Sequence, residues 1–223
     1  MDATTLAVEV ADALGALDPP TTPAARGVRR AFSRRLRSVP AGLVLDAAVK
    51  LVARGGELER FVAYELVFSH GPARRALTPR WLLRLGRNVA SWGAVDCFAC
   101  YLAGPAWRDG LVPVTLIRRW ARSPDRWWRR VALVSTVPLN NKTRGGGGDA
   151  RRTLAICGLL VADRDDMVTK GLSWALRELA KRDPAAVGAF LRRHEAALAA
   201  RVRREVLNKL RTGLKAPRRR RAA

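Results

Sequence analysis

Residues 41–56 read AGLVLDAAVKLVARGG, and residues 57–71 read ELERFVAYELVFSHG. Apolar residues recur in both at the three-and-four spacing of a helix with one buried face. A glycine closes each stretch, where helices commonly stop in a left-handed conformation. The same period continues outward. Residues 6–17, LAVEVADALGAL, form an amphipathic stretch, and residues 25–39, ARGVRRAFSRRLRSV, form a basic helix after a Pro-Pro break. Three later starts pair a capping residue with proline at the first helical position: Thr78–Pro79, Ser123–Pro124 and Asp183–Pro184. No stretch sustains the period of two that a strand needs. The expected fold is all-α, with short helices and short connections. That rhythm suggests a HEAT-like solenoid of antiparallel helix pairs, with a compact irregular bundle as the alternative.

The chain has 223 residues, enough for one domain; a single helical domain is expected over 1–215. Residues 216–223 close it as a basic tail expected to be disordered. Lysine plus arginine number 42 against 19 aspartate plus glutamate, a net charge of +23. Such an excess points to a polyanion partner, nucleic acid ahead of a membrane surface. A GC-rich genome is the competing source of arginine. An acidic residue at position 2 and no basic leader argue against a signal peptide, and no apolar run is long enough to span a bilayer. Residues 140–150, NNKTRGGGGDA, read as a flexible loop. Their glycines are no phosphate loop, because neither a preceding strand nor G-K-[ST] accompanies them.

Metal and triad chemistry find little support. Cys97 and Cys100 are spaced C-x-x-C, but no second ligand pair follows, so they read as small buried side chains. With Cys157 the count is odd, which suits a reducing cytoplasm. The two histidines, His70 at a helix end and His194 at an expected surface, are too few for a triad or a histidine metal site. Glu65, mid-helix, is expected to pair with a basic neighbour.

One acid draws attention. NVASWGAVDCF, residues 88–98, places Asp96 four residues after Trp92, so a helix carries both on one face. Further on, SPDRWWRRVALVST (123–136) and DDMVTKGLSWALRELAKRDP (165–184) share an order: acidic or capping start, aromatic, arginine, apolar run. Trp127 and Trp128 cannot both face one way, so one belongs to the core. Trp81, Trp107 and Trp120 read as packing residues.

On WWRRVALVST, DMVTKGLSWALRELAKRDPAAVGAFL, and more weakly NVASWGAVD and RREVLNKLRTGLK, the sequence resembles the DNA alkylation repair family, the AlkC/AlkD group of HEAT-like glycosylases. The resemblance runs from about residue 25 to 215. It implies a helical array with a basic concave face for double-stranded DNA carrying alkylated bases. It also implies hydrolysis of the N-glycosidic bond of cationic N3- or N7-alkylated purines, as in base excision repair. Asp96 matches the catalytic carboxylate. Trp92 and Trp174 match cleft-lining aromatics, and Arg130 and Arg177 match DNA-contacting arginines. Arg129 and Lys170 stand beside them. No cofactor, metal or membrane is implied; a monomer in the cytoplasm, associated with the nucleoid, is expected.

The chemistry suits so small a set. An alkylated purine cation leaves neutral and needs no proton, which removes the general acid of ordinary glycoside hydrolysis. One carboxylate remains to stabilise an oxocarbenium-like sugar and to orient or deprotonate water. Aromatic faces stabilise cationic charge. The alternative is a non-catalytic HEAT-like protein that binds branched or damaged DNA. Asp96 separates the two, because a pure binder gains nothing from an anion among phosphates.

Overall fold

The structure, a computed structural model, describes residues 2–216, and every regular element among them is helical. The chain gathers into two compact units that divide between Pro113 and Val114.

The first unit holds α1 (Ala3–Gly15), α2 (Thr22–Arg35), α3 (Ala41–Arg54), α4 (Glu57–Ser69), α5 (Gly71–Arg75), α6 (Pro79–Leu85), α7 (Trp92–Phe98), a π-helical segment (Ala99–Ala103) and α8 (Gly104–Arg108). Local chemistry sets the ends. The Asp2 carboxylate accepts from the Thr4 and Thr5 N–H groups at 2.7 and 3.0 Å and opens α1. Gly55, at φ 91°, ends α3 where an L side chain would be strained. Thr78 caps α6 with Pro79 behind it, as the sequence suggests. α3 packs between α1 and α4, and α4 in turn packs against α2 and α7. Tyr64 of α4 is fully buried; its ring lies 5.6 Å from Phe98 and its hydroxyl donates to the Leu85 carbonyl at 3.0 Å. Burial pushes that phenol up to about 12.

The second unit holds α9 (Val114–Ala121), α10 (Arg126–Val134), α11 (Val137–Asn140), a 3-10 turn (Lys142–Arg144), α12 (Ala150–Leu159), α13 (Asp166–Leu179), α14 (Pro184–Arg193) and α15 (Ala200–Thr212). α13 is its centre, packed by α10, α11, α12, α14 and α15. Val168, Leu172, Ala175, Leu176 and Leu179 of α13 are at most 1% exposed. Full burial of each larger aliphatic side chain stabilises the fold by about 1.5–3 kcal/mol.

Several local expectations change. Gly71 does not end α4. It opens α5, and His70 caps that helix by accepting the Ala73 N–H on Nδ1 at 3.1 Å. The helix expected from Ser123–Pro124 starts at Arg126, because the Asp125 carboxylate is the better acceptor and takes the Trp127 N–H at 2.8 Å. His194 is half-buried rather than exposed, with its ring 4.5 Å from Phe190. Apart from Ala216, the basic tail lies outside the described residues.

The glycine-rich stretch is also packed rather than loose. Asn140 is buried; its amide donates to the Thr136 carbonyl and the Thr153 hydroxyl, and its oxygen accepts the Asp149 N–H. Arg182 bridges the carbonyls of Asn140 and Gly146 at 2.9 and 3.1 Å. Gly146 has no room for a side chain: a Cβ there would stand 2.4 Å from the Pro138 carbonyl oxygen. Gly146→Ala should therefore cost about 1–3 kcal/mol of stability, read by urea unfolding. An unchanged midpoint would show the loop free of α11.

Candidate functional site

α7 opens on Ser91, whose hydroxyl does two jobs. It accepts the Ala94 N–H at 3.1 Å and donates to Glu57 Oε1 of α4 at 2.8 Å. This link fixes the start of α7 against α4. Trp92 follows at the first helical position and is 64% exposed. Asp96 sits one turn on, half-buried. The adjacent face of α7, through Gly93, Ala94 and Cys97, borders a cleft with Glu57, Leu58 and Phe61 of α4 and Thr22 of α2. Cys97 is half-buried rather than buried as its spacing suggested, whereas Cys100 and Cys157 are buried.

Beyond Phe98 the helix widens into the π-helical segment, a feature often found at functional sites. Tyr101 of that segment lies 5.4 Å from the Phe68 ring, and the Arg26 guanidinium reaches its hydroxyl at 3.5 Å. Arg26 and Arg29 of α2 both bond Glu65, at 3.1 Å each. The expected partner of Glu65 is thus a pair of arginines. The bond to Glu65 raises the Arg26 pKa above its ordinary value.

The remaining candidates belong to the second unit, on α10 and α13, which pack together. Lys170 is exposed and pairs with Asp166 at 2.7 Å. Trp174, one turn later, is half-buried. Arg177 is half-buried and donates to the Ser173 hydroxyl at 3.1 Å; that hydroxyl donates to Glu205 at 2.6 Å. Burial lowers the Arg177 pKa, against the pull of Glu205 and Glu178. Arg129 pairs with Asp163 at 2.7 Å and donates to the Ser123 and Pro124 carbonyls. Arg130 is 5% exposed and donates to the Met167 carbonyl at 2.6 Å.

Two of the three tryptophans read as packing residues are buried, whereas Trp127 and Trp128 are both half-buried, so neither is the core residue expected of that pair. Trp107 and Trp120 are buried. Trp128 stacks on Trp120 with centroids 5.0 Å apart, and Arg126 lies over Trp127. Trp81 is half-buried under the Arg84 guanidinium.

The sequence reading missed Glu57, Arg26, Arg29 and Tyr101. Their partners lie tens of residues away, and no local spacing marks them. It also missed the exposed arginines Arg118, Arg119 and Arg122 after the division between the units. Their signal was present in the helical period of α9, which leaves positions 118 and 119 off the apolar face.

Among the described residues, no helix is long and apolar enough to cross a membrane. No curated protein and no solved structure matches the chain. Residues 11–210 match the family model described as DNA alkylation repair enzyme, and the chain belongs to that family of DNA repair proteins.

Proposed function

We propose that this protein is a monofunctional DNA glycosylase that releases cationic N3- or N7-alkylated purines from duplex DNA. The observation that carries this reading is Trp92 beside Asp96. A tryptophan 64% exposed stands at the start of an anchored helix with its indole face open to a ligand, and a half-buried carboxylate follows it on the same face. In this mechanism the indole face receives the positive charge of the base or sugar. Asp96 stabilises the oxocarbenium-like sugar and takes a proton from the attacking water. The purine departs neutral, so the scheme leaves no step for a second acid.

In the second unit, Trp174 is proposed as a further aromatic contact to the substrate. Lys170, Arg129 and Arg177 are proposed as phosphate contacts that would exchange protein partners for DNA. Arg118, Arg119 and Arg122, exposed beside them in sequence, add to the electrostatic attraction. A HEAT-like solenoid with a basic concave face suits this function and is part of the proposal.

The test is release of free methylpurines from methylated duplex DNA, measured by chromatography. Wild-type protein should release them. Trp92→Ala and Trp174→Ala should each lower turnover roughly tenfold with the fold intact, the scale of a cation–π contact in a desolvated site. Tight, salt-sensitive binding without release would instead mark a non-catalytic binder of damaged DNA.

A further inference from the structure

A second cavity opens in the first unit and shares no lining residue with the α7 cleft. Val49, Val52 and Ala53 of α3 form an apolar wall, and Arg60 of α4, Arg84 of α6, and Arg87 and Asn88 complete it. Its volume is about 480 Å³.

Arg60 is the unusual member. It is 6% exposed, yet among the described residues no carboxylate lies within ion-pair distance of its guanidinium. It donates to the Arg87 carbonyl at 3.0 Å and lies against the Tyr64 hydroxyl. Those contacts satisfy part of the fork and leave the charge without a counter-ion. A buried cation in that state is costly unless an anion joins it. Asn88, at φ 55°, holds the turn that presents the Arg87 carbonyl.

The charge count selects the ligand. Three arginines line the cavity, and one of them, Arg84, is paired with Asp46 at 3.1 Å. Two positive charges remain. A carboxylate or a phosphodiester would neutralise one. A phosphate monoester carries close to two negative charges at neutral pH and presents three acceptor oxygens to arginine forks. The volume exceeds that of bare phosphate, and the Val49–Val52–Ala53 wall suits an uncharged group carried with it. We infer that this cavity binds a phosphate monoester, seated on Arg60 and Arg87 with its organic part against α3. The source is either a free nucleoside monophosphate or the 5′-phosphate at a DNA end. The inference is independent of base release.

Isothermal titration with a nucleoside 5′-monophosphate, at matched ionic strength, tests it. Wild type should bind with one site. Arg87→Ala, at an exposed position whose carbonyl still holds Arg60, should bind at least tenfold more weakly. Arg151→Ala/Arg204→Ala, which removes the same kind of charge at exposed positions of α12 and α15, should bind as wild type does. Absence of binding, or equal loss in both variants, overturns the proposal. A 5′-phosphorylated oligonucleotide that displaces the nucleotide, where its 5′-hydroxyl counterpart does not, assigns the DNA end. Failure of both to displace it assigns the free nucleotide.

Discussion

Asp96→Asn is expected to abolish methylpurine release, by at least about a hundredfold, while duplex binding stays equal or becomes slightly tighter. The amide keeps the shape of the carboxylate and a place on α7. It loses the negative charge that meets the developing sugar cation, and it cannot take a proton from water. Removal of one preorganised electrostatic partner from a transition state typically costs about 10²–10³ in rate. Binding moves the other way because an anion near phosphates is repulsive. The pair of readings matters: chromatography of released base, and binding measured on the same preparation. Unchanged turnover would remove Asp96 from the mechanism. Joint loss of turnover and of the melting transition would instead mark a structural role.

Arg130→Ala should destabilise the second unit by about 2–4 kcal/mol. Arg130 is 5% exposed, with its Nη1 on the Met167 carbonyl in the first turn of α13. Its aliphatic part lies by Gly171, where an added Cβ would be 3.5 Å from its Cγ. Truncation empties that space and leaves a carbonyl without its charged donor. Urea unfolding reads the loss. Salt dependence of duplex binding gives the independent measurement: a slope unchanged in the folded variant fits an anchor between α10 and α13. A slope shallower by about 0.9 would place a phosphate on this guanidinium. A variant as stable as wild type would overturn the anchoring role.

The helical class was legible because helices announce themselves locally. Thr78–Pro79 and Asp183–Pro184 cap where their sequence says, and Gly55 stops α3 at its left-handed turn. The shared helix face of Trp92 and Asp96 was legible for the same reason, since an i, i+4 pair needs no tertiary knowledge, while their candidate roles came from the family resemblance. What escaped depends on distant partners. Ser91 finds Glu57 across 34 residues and Arg29 finds Glu65 across 36, separations that no periodicity encodes. The Arg130 bond to the Met167 carbonyl spans 37 residues and is equally invisible to a local pattern. Residues 140–150 misled by composition. Four consecutive glycines suggest freedom, whereas Gly146 is there because two backbone segments come too close for a Cβ.

The π-helical turn after Asp96 acts as a phase adjuster. From Trp92 to Arg108 the backbone is one continuous rod with a change of pitch at Ala99–Ala103. Each residue of an ordinary helix advances the direction of its side chain by about 100°. A wider turn takes up an extra residue and resets that angle. The exposed direction of Trp92 and the buried direction of Trp107 are therefore set separately, on either side of the reset. Trp92 thus stays at the surface of the rod's first half while Ala94, Val95 and Phe98 of that same half, and Trp107 of the second, enter the core.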